Sequence, residues 1–257
     1  MKYLLLFILL STGLILQADV YDSSKDRSED NAAKFLNIGK AVGRYLMFRD
    51  FSKLLDQNVT GTEALAYGTG AGNDIAILQR EGFHVSGVDI SKEMIAAAKQ
   101  CYPEAPLFVV QNGDTPFNSG SFDLVFSSMV LLEMGTEEEI LTYLKEAHRV
   151  LKDGGSLIVL SASENLYSKN WLVNKIDFPE NKHLTSGCRV RLYAEDVDIE
   201  FQDYFWFEDD YRRFLSESGF QIETVYHPLG LPTDPHPWKD ELHCSPYVFF
   251  VAKKTPQ

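Results

Sequence analysis

The sequence predicts an α/β fold: a doubly wound, mostly parallel seven-stranded sheet with a C-terminal antiparallel strand pair and helices on both faces. Three observations carry this. From residue 63 onward, short apolar runs alternate with amphipathic helical stretches. The first run, "EALAYGTGAGNDIAIL" at 63–78, meets glycines at 68, 70 and 72 before helical spacing begins. Two further apolar runs close the chain. Strand and helix in alternation imply parallel strands joined by crossover helices, with a ligand at the carboxyl ends of the strands.

Ahead of this core, "MKYLLLFILLSTGLILQA" (1–18) places one lysine before an apolar run and ends on Ala18. That is the pattern of a secretory signal peptide or signal anchor. The run is short for a spanning helix, and acidic rather than stop-transfer sequence comes after it. An exported or membrane-anchored location is expected, with the cytoplasm as the alternative, and no stable membrane span in the mature chain, 19–257. Residues 33–56 then carry Phe35, Ile38, Val42, Leu46 and Leu54 at helical spacing, which predicts one or two helices.

In the core, "EALAYG", "HVSGVDI", "LFVVQN", "FDLVFSS" and "SLIVLSA" read as strands, separated by helices at 72–81, 91–101 and 136–151. The last helix is the best marked. Thr136 and Glu139 form a capping box, Ile140, Leu144, Ala147 and Leu151 make one stripe, and Gly154 is read as its stop. The rhythm breaks after Ser161. Residues 162–207 are too long for a plain connection and are read as an inserted substrate cover. At the end of the cover and beyond it, "DYFWFEDDY" (203–211) reads as core and helix entry more readily than as a substrate cage. A helix over 208–218 ends at Gly219, and "FQIETVYHPL" and "SPYVFFVAKK" complete the chain as the antiparallel pair.

A chain of 257 residues, 45% hydrophobic and 24% charged, suffices for one full core. A net charge of -13 and a pI near 4.9 repel a phosphate backbone, so a nucleic-acid partner is not expected and a small molecule fits better. Cys101, Cys188 and Cys244 are too few and scattered for a disulfide scaffold or zinc site; buried free thiols are expected. His183, His227, His236 and His243 include no pair at metal-ligand spacing, and no metal is expected.

Two ligands compete for the glycine loop. A nicotinamide dinucleotide fold wants G-x-G-x-x-G and an acidic residue about twenty positions on. Here the spacing is G-x-G-x-G, and Asp89 stands at a distance that suits any ribose diol. Asp89 also reads simply as a cap for the helix starting near Ser91, and Asn112 and Asp114 as turn formers in "QNGDTP".

The segments C-terminal to the loop tip the balance. "ISKEMIAAAK", "VVQNGDTPFNSGSFDLVFSSMVLLEM" and "YLKEAHRVLKDGGSLIVL" come in order. Together with the loop, over about residues 60–161, they resemble the class I S-adenosylmethionine-dependent methyltransferases. The resemblance implies S-adenosyl-L-methionine as cofactor. Gly68, Thr69 and Gly70 are then expected under its methionine part, Asp89 at the ribose hydroxyls, and Ile90 and Met94 against the adenine. Asn112 and Gly113 lead to Asp114 at the adenine amino group, and Ser128 ends the strand nearest the sulfonium. Tyr21 resembles the tyrosine that begins the family's N-terminal lid.

Ala66 departs from the pattern, because the family has a carboxylate there; Glu63 and Asp74 are the nearby substitutes. No "D-P-P-Y" stands after the fourth strand, which argues against methylation of DNA bases. A small-molecule methyl acceptor is expected, and Tyr167, Trp171, Tyr204 and Trp206 in the cover suit a flat, partly apolar one. No catalytic residue is singled out, since alignment in a dry pocket carries most of a methyl transfer. An NAD-binding oxidoreductase and a non-catalytic interaction protein on the same fold stay open as other classes.

Overall fold

The computed structural model describes residues 38–255. The signal-like segment 1–18, Tyr21 and the start of the helical stretch predicted at 33–56 lie outside them. The elements run α1 (Val42–Phe48), α2 (Phe51–Asn58), β1 (Glu63–Tyr67), α3 (Asn73–Arg80), β2 (His84–Asp89), α4 (Lys92–Cys101), β3 (Leu107–Val109) and β4 (Phe122–Ser128). Next come α5 (Glu137–Val150), β5 (Leu151–Ala162), β6 (Asn174–Lys175), β7 (Cys188–Ala194), β8 (Ile199–Phe205), α6 (Glu208–Glu217), β9 (Phe220–Tyr226) and β10 (Tyr247–Lys254).

Seven strands form one sheet in the order β3-β2-β1-β4-β5-β10-β9. The first five are parallel, and β10 runs antiparallel to both β5 and β9. The order reverses beside β1, which places the carboxyl ends of β1, β2 and β4 around a crevice.

Strand alternation explains the double covering. Leu65, Tyr67, Val125, Leu157, Val159 and Phe250 pack with Ile140, Tyr143 and Leu144 of α5 and Phe214 of α6. Their neighbours Ala64, Ala66, Leu124, Phe126, Ile158 and Phe249 face the other way, onto Leu46, Phe51, Leu54, Ile75, Leu78 and Ile95 of α1 to α4. Successive side chains of a strand point to opposite faces, so one run of apolar residues feeds two cores.

The capping box at α5 is formed as expected: Thr136 Oγ1 accepts from Glu139 N, and Glu139 Oε2 accepts from Thr136 N. Gly154, however, is not the helix stop. The chain turns extended at Leu151 (ψ 140°), directly out of the helix, and Gly154 lies inside β5 at a register shift opposite Phe122 and Leu124.

The segment 162–207 is not irregular. It builds a second, three-stranded antiparallel sheet in the order β6-β7-β8, around a core of its own that includes Leu166, Trp171, Val190, Leu192 and Phe205. All three cysteines are free thiols, but none is buried as expected: Cys101 is exposed, and Cys188 and Cys244 are partly buried at the edge of the small core. No helix of the described residues is long and apolar enough to cross a membrane.

Candidate functional site

A cavity of about 660 Å³ opens where the carboxyl ends of β1, β2 and β4 face the small sheet. Its volume is in the range of small-molecule sites. The floor is the glycine loop. Gly68 (φ +78°) and Gly70 (φ +53°) both lie in the left-handed region. A Cβ at Gly68 would collide with the Val130 side chain, whereas nothing stands within 4 Å of the space a Cβ at Gly70 would fill. Gly70 therefore bares its backbone to the cavity, and the open space beside it is available to a ligand.

Asp89 ties this loop to the next element. Its Oδ2 accepts from Gly70 N at 2.8 Å and its Oδ1 from Ser91 N at 2.8 Å. The cap of α4 is Ser91, whose Oγ accepts from Met94 N, so the helix-cap reading of Asp89 is corrected. Beside the loop, Thr69 Oγ1 is buried with no hydrogen-bond partner among the described residues.

Gly68, Thr69, Gly70, Asp89, Ile90, Met94, Asn112 and Ser128 all line the cavity. Met94 is buried and Ile90 half exposed, at 49%. Asn112 is steadied by a bond from its Nδ2 to the Glu139 carbonyl, 3.0 Å. Gly113 and Asp114 sit in the turn behind it and are not part of the wall; Asp114 N bonds back to the Gln111 carbonyl, and Asp114 is exposed. The wall between is stiffened by Tyr67 and Tyr143, whose rings stack at 3.8 Å. The Tyr143 hydroxyl donates to the Tyr67 carbonyl, 2.8 Å, and meets Ser127 Oγ at 2.9 Å.

Of the two substitutes for a carboxylate at Ala66, the cavity contains one. Glu63 is exposed at the far end of β1, where it meets His84 Nδ1 at 2.9 Å. Asp74, in the first turn of α3, lines the cavity opposite Arg44 of α1, with 3.4 Å between Arg44 Nη2 and Asp74 Oδ1. Burial pushes the Asp74 carboxyl above the usual carboxylate value, and Arg44 pulls it back.

The opposite half of the wall comes from the small sheet and the 3-10 turn Leu131–Glu133: Leu132, Glu133, Arg189, Leu192, Phe201, Asp203 and Tyr204. Of the four aromatics expected in the cover, Tyr204 alone faces the cavity. Trp171 and Trp206 are core side chains whose indole N–H groups donate to the carbonyls of Leu166 (2.7 Å) and Met134 (3.0 Å). Large aromatic surfaces are worth most when buried with the polar edge satisfied.

Arg44, Glu133, Arg189 and Asp203 are absent from the residues expected from sequence. One signal for Asp203 was readable: "CRVRLYA" and "IEFQDYF" alternate with period two, which predicts a hairpin with Asp203 on the face of Phe201 and Phe205. Among the described residues no cluster of three or more His, Cys, Asp or Glu side chains is arranged to hold a metal.

The family described as "Methyltransferase domain" matches residues 65–159. The chain is 33% identical over 112 residues to an uncharacterised methyltransferase of Synechocystis, covering 44% of this chain and 51% of that protein. It is 30% identical over 170 residues to a demethylmenaquinone methyltransferase of Chlorobaculum tepidum, covering 64% of this chain and 67% of that one. The chain thus spans about half the length of the former relative and two thirds of the latter. A solved S-adenosylmethionine-dependent methyltransferase from Methanosarcina mazei superposes with a TM-score of 0.60 at 23% identity, over 79% of this chain and 98% of that one, which bears on the fold.

Proposed function

This chain belongs to the class I S-adenosylmethionine-dependent methyltransferases, and from that premise we propose that it methylates a small, largely apolar molecule held between the glycine loop and the inserted sheet. The observation that carries this reading is one cavity with the loop on one side and β7 and β8 on the other. Names of relatives support a small acceptor, several being demethylmenaquinone methyltransferases.

The residues fit the cofactor. The open space at Gly70 suits close approach of the methionine part to the main chain, and the orphaned Thr69 hydroxyl suits a polar ligand atom. In this reading Gly68, Thr69 and Gly70 pass beneath the methionine, Asp89 takes the ribose hydroxyls, and Ile90 and Met94 flank the adenine. Asn112, backed by Gly113 and Asp114, stands at its amino edge, and Ser128 is nearest the sulfonium. The amino-acid end of the cofactor carries one ammonium and one carboxylate, and Asp74 and Arg44 offer the matching pair. Asp74 thereby stands in for the carboxylate missing at Ala66.

The bound sulfonium supplies an already activated methyl carbon. The chain's own residues orient the two ligands and keep the space between them dry, with Leu132, Leu192 and Phe201 as the apolar wall. Isothermal titration tests the proposal. Heat is expected with S-adenosylmethionine and with S-adenosylhomocysteine, at dissociation constants on the order of micromolar, and none with NAD. Tight NAD binding would turn the reading to an oxidoreductase, and binding of none of the three to a non-catalytic protein.

A further inference from the structure

We propose that Asp203 is the proton acceptor for the methyl acceptor, and that the acceptor is an aromatic ring carrying a hydroxyl group. The inference rests on the methyltransferase reading and extends it to the acceptor half of the same cavity. Asp203 lies on β8, is 6% exposed, and lines the cavity beside Phe201 and Tyr204. A carboxyl group is rarely so buried unless it is paired or used. The Tyr167 hydroxyl donates to its Oδ2 at 3.2 Å.

The groups facing Asp203 come from several segments. Tyr167 approaches from the start of the insertion, Glu133 from the 3-10 turn after β4, Arg189 from β7 and Tyr211 from α6. Burial first, then the negative charge of Glu133, push the Asp203 carboxyl up to about 7, against the Tyr167 hydroxyl and the Arg189 guanidinium, which draw it down. A carboxylate so placed is matched to taking a proton near neutral pH.

The surroundings choose the acceptor. Leu192 and Phe201 share the face of β7 and β8 that carries Asp203, while Tyr204 and Arg189 stand on the other face, with the guanidinium 4.8 Å from the ring centroid. An aromatic ring lies against the apolar face of Leu192 and Phe201, and an acidic O–H on the ring gives Asp203 a proton to take. In the transfer, the acceptor's O–H bond breaks and its proton passes to the Asp203 carboxylate. The acceptor oxygen bonds to the methyl carbon, and sulfur keeps the electron pair of the broken carbon–sulfur bond. Asp203 then returns the proton to water.

The test uses the full chain and measures S-adenosylhomocysteine release with phenol, catechol and hydroquinone as hydroxyl probes, and thiophenol and benzylamine as thiol and amine probes. At least one hydroxyl probe is expected to turn over, with kcat rising with pH to a plateau through a midpoint near 7. Asp203→Asn is expected to lower kcat by about 100-fold or more and to remove the pH-dependent rise, with binding of S-adenosylmethionine retained. Tyr167→Phe, which takes away the hydrogen bond that lowers the Asp203 pKa, is expected to move the midpoint upward. Full kcat with an unchanged pH profile in Asp203→Asn overturns the proposal. So does turnover confined to benzylamine or thiophenol, or none with the hydroxyl probes, in a protein that binds S-adenosylmethionine. Failure to bind S-adenosylmethionine at all overturns the methyltransferase reading beneath it.

Discussion

Gly70 and Asp89 meet through one hydrogen bond, yet substitutions at the two are expected to fail differently. At Gly70 the backbone is left-handed and the space a side chain would fill is open cavity. Gly70→Val should therefore fold, with about 1–3 kcal/mol of backbone strain, and lose S-adenosylmethionine binding because the branched side chain occupies the ligand's approach. A modest fall in melting temperature with no heat in titration is the expected pair of results. Asp89 accepts from two backbone N–H groups, so Asp89→Ala unpairs the loop from α4 as well as removing the proposed ribose contact. Binding is expected to weaken by about 2–4 kcal/mol and the melting temperature to fall with it. Loss of binding at an unchanged melting temperature would mean that water replaces the carboxylate on both donors. Ala66 itself lies in the apolar cluster of Ile75, Leu78 and Phe126, which is why the charge opposite Arg44 comes from α3 and not from β1.

Among the elements, α5 has the most complete local code. Three glutamates, Glu137, Glu138 and Glu139, stand at its positive end, His148 and Arg149 in its last turn, and a reciprocal cap closes its start. Thr136→Ala removes the side-chain half of the cap and is expected to cost about 1 kcal/mol by chemical denaturation. The effect should reach the site weakly, because Glu139 Oε2 still accepts from the backbone N–H groups of Gly135 and Thr136. Farther along α5, Glu146 accepts from Thr115 N and Oγ1 and pairs with Arg149, which holds the turn after β3 against the helix. That anchoring keeps Asn112 at the rim while Gly113 and Asp114 turn away.

Across the molecule, the N-terminal helices are held by the long connection between β9 and β10. Asp234 accepts from the Tyr45 hydroxyl (3.0 Å), Arg49 Nη1 (3.0 Å), Trp238 Nε1 (2.9 Å) and Leu231 N (2.8 Å). Burial pushes its carboxyl up, but these donors together hold it below the ordinary value of 3.8. A carboxylate depressed in the folded state contributes stability that is present above its unfolded pKa and lost as pH falls through the folded one. Asp50, lowered first by its hydrogen bond from Arg49, acts in the same direction. Asp234→Ala is expected to cost about 1–3 kcal/mol at neutral pH, to shrink the loss of stability below about pH 4, and to weaken S-adenosylmethionine binding, because α1 carries Arg44. Denaturation curves at several pH values, with titrations alongside, check all three.

Much of the large sheet was legible in the sequence because its signals are local. Short apolar runs, a capping box and alternate glycines act within a few residues, and the seven strands and the loop lie close to where those signals put them. The contents of the cavity wall were partly legible for the same reason: Gly70 lies in the loop directly after β1 and Asp89 ends β2, and parallel strands deliver their carboxyl ends to one edge. Gly154 misled because a glycine after a helix and a glycine in a strand bulge look alike until pairing partners are known. Tertiary structure alone decided the rest. The small sheet places Asp203 among Tyr167, Glu133 and Arg189, and the connection before β10 sets Arg44 over Asp74. Those groups are far apart along the chain, and burial and charge act through space, so their chemistry exists only once the chain is packed.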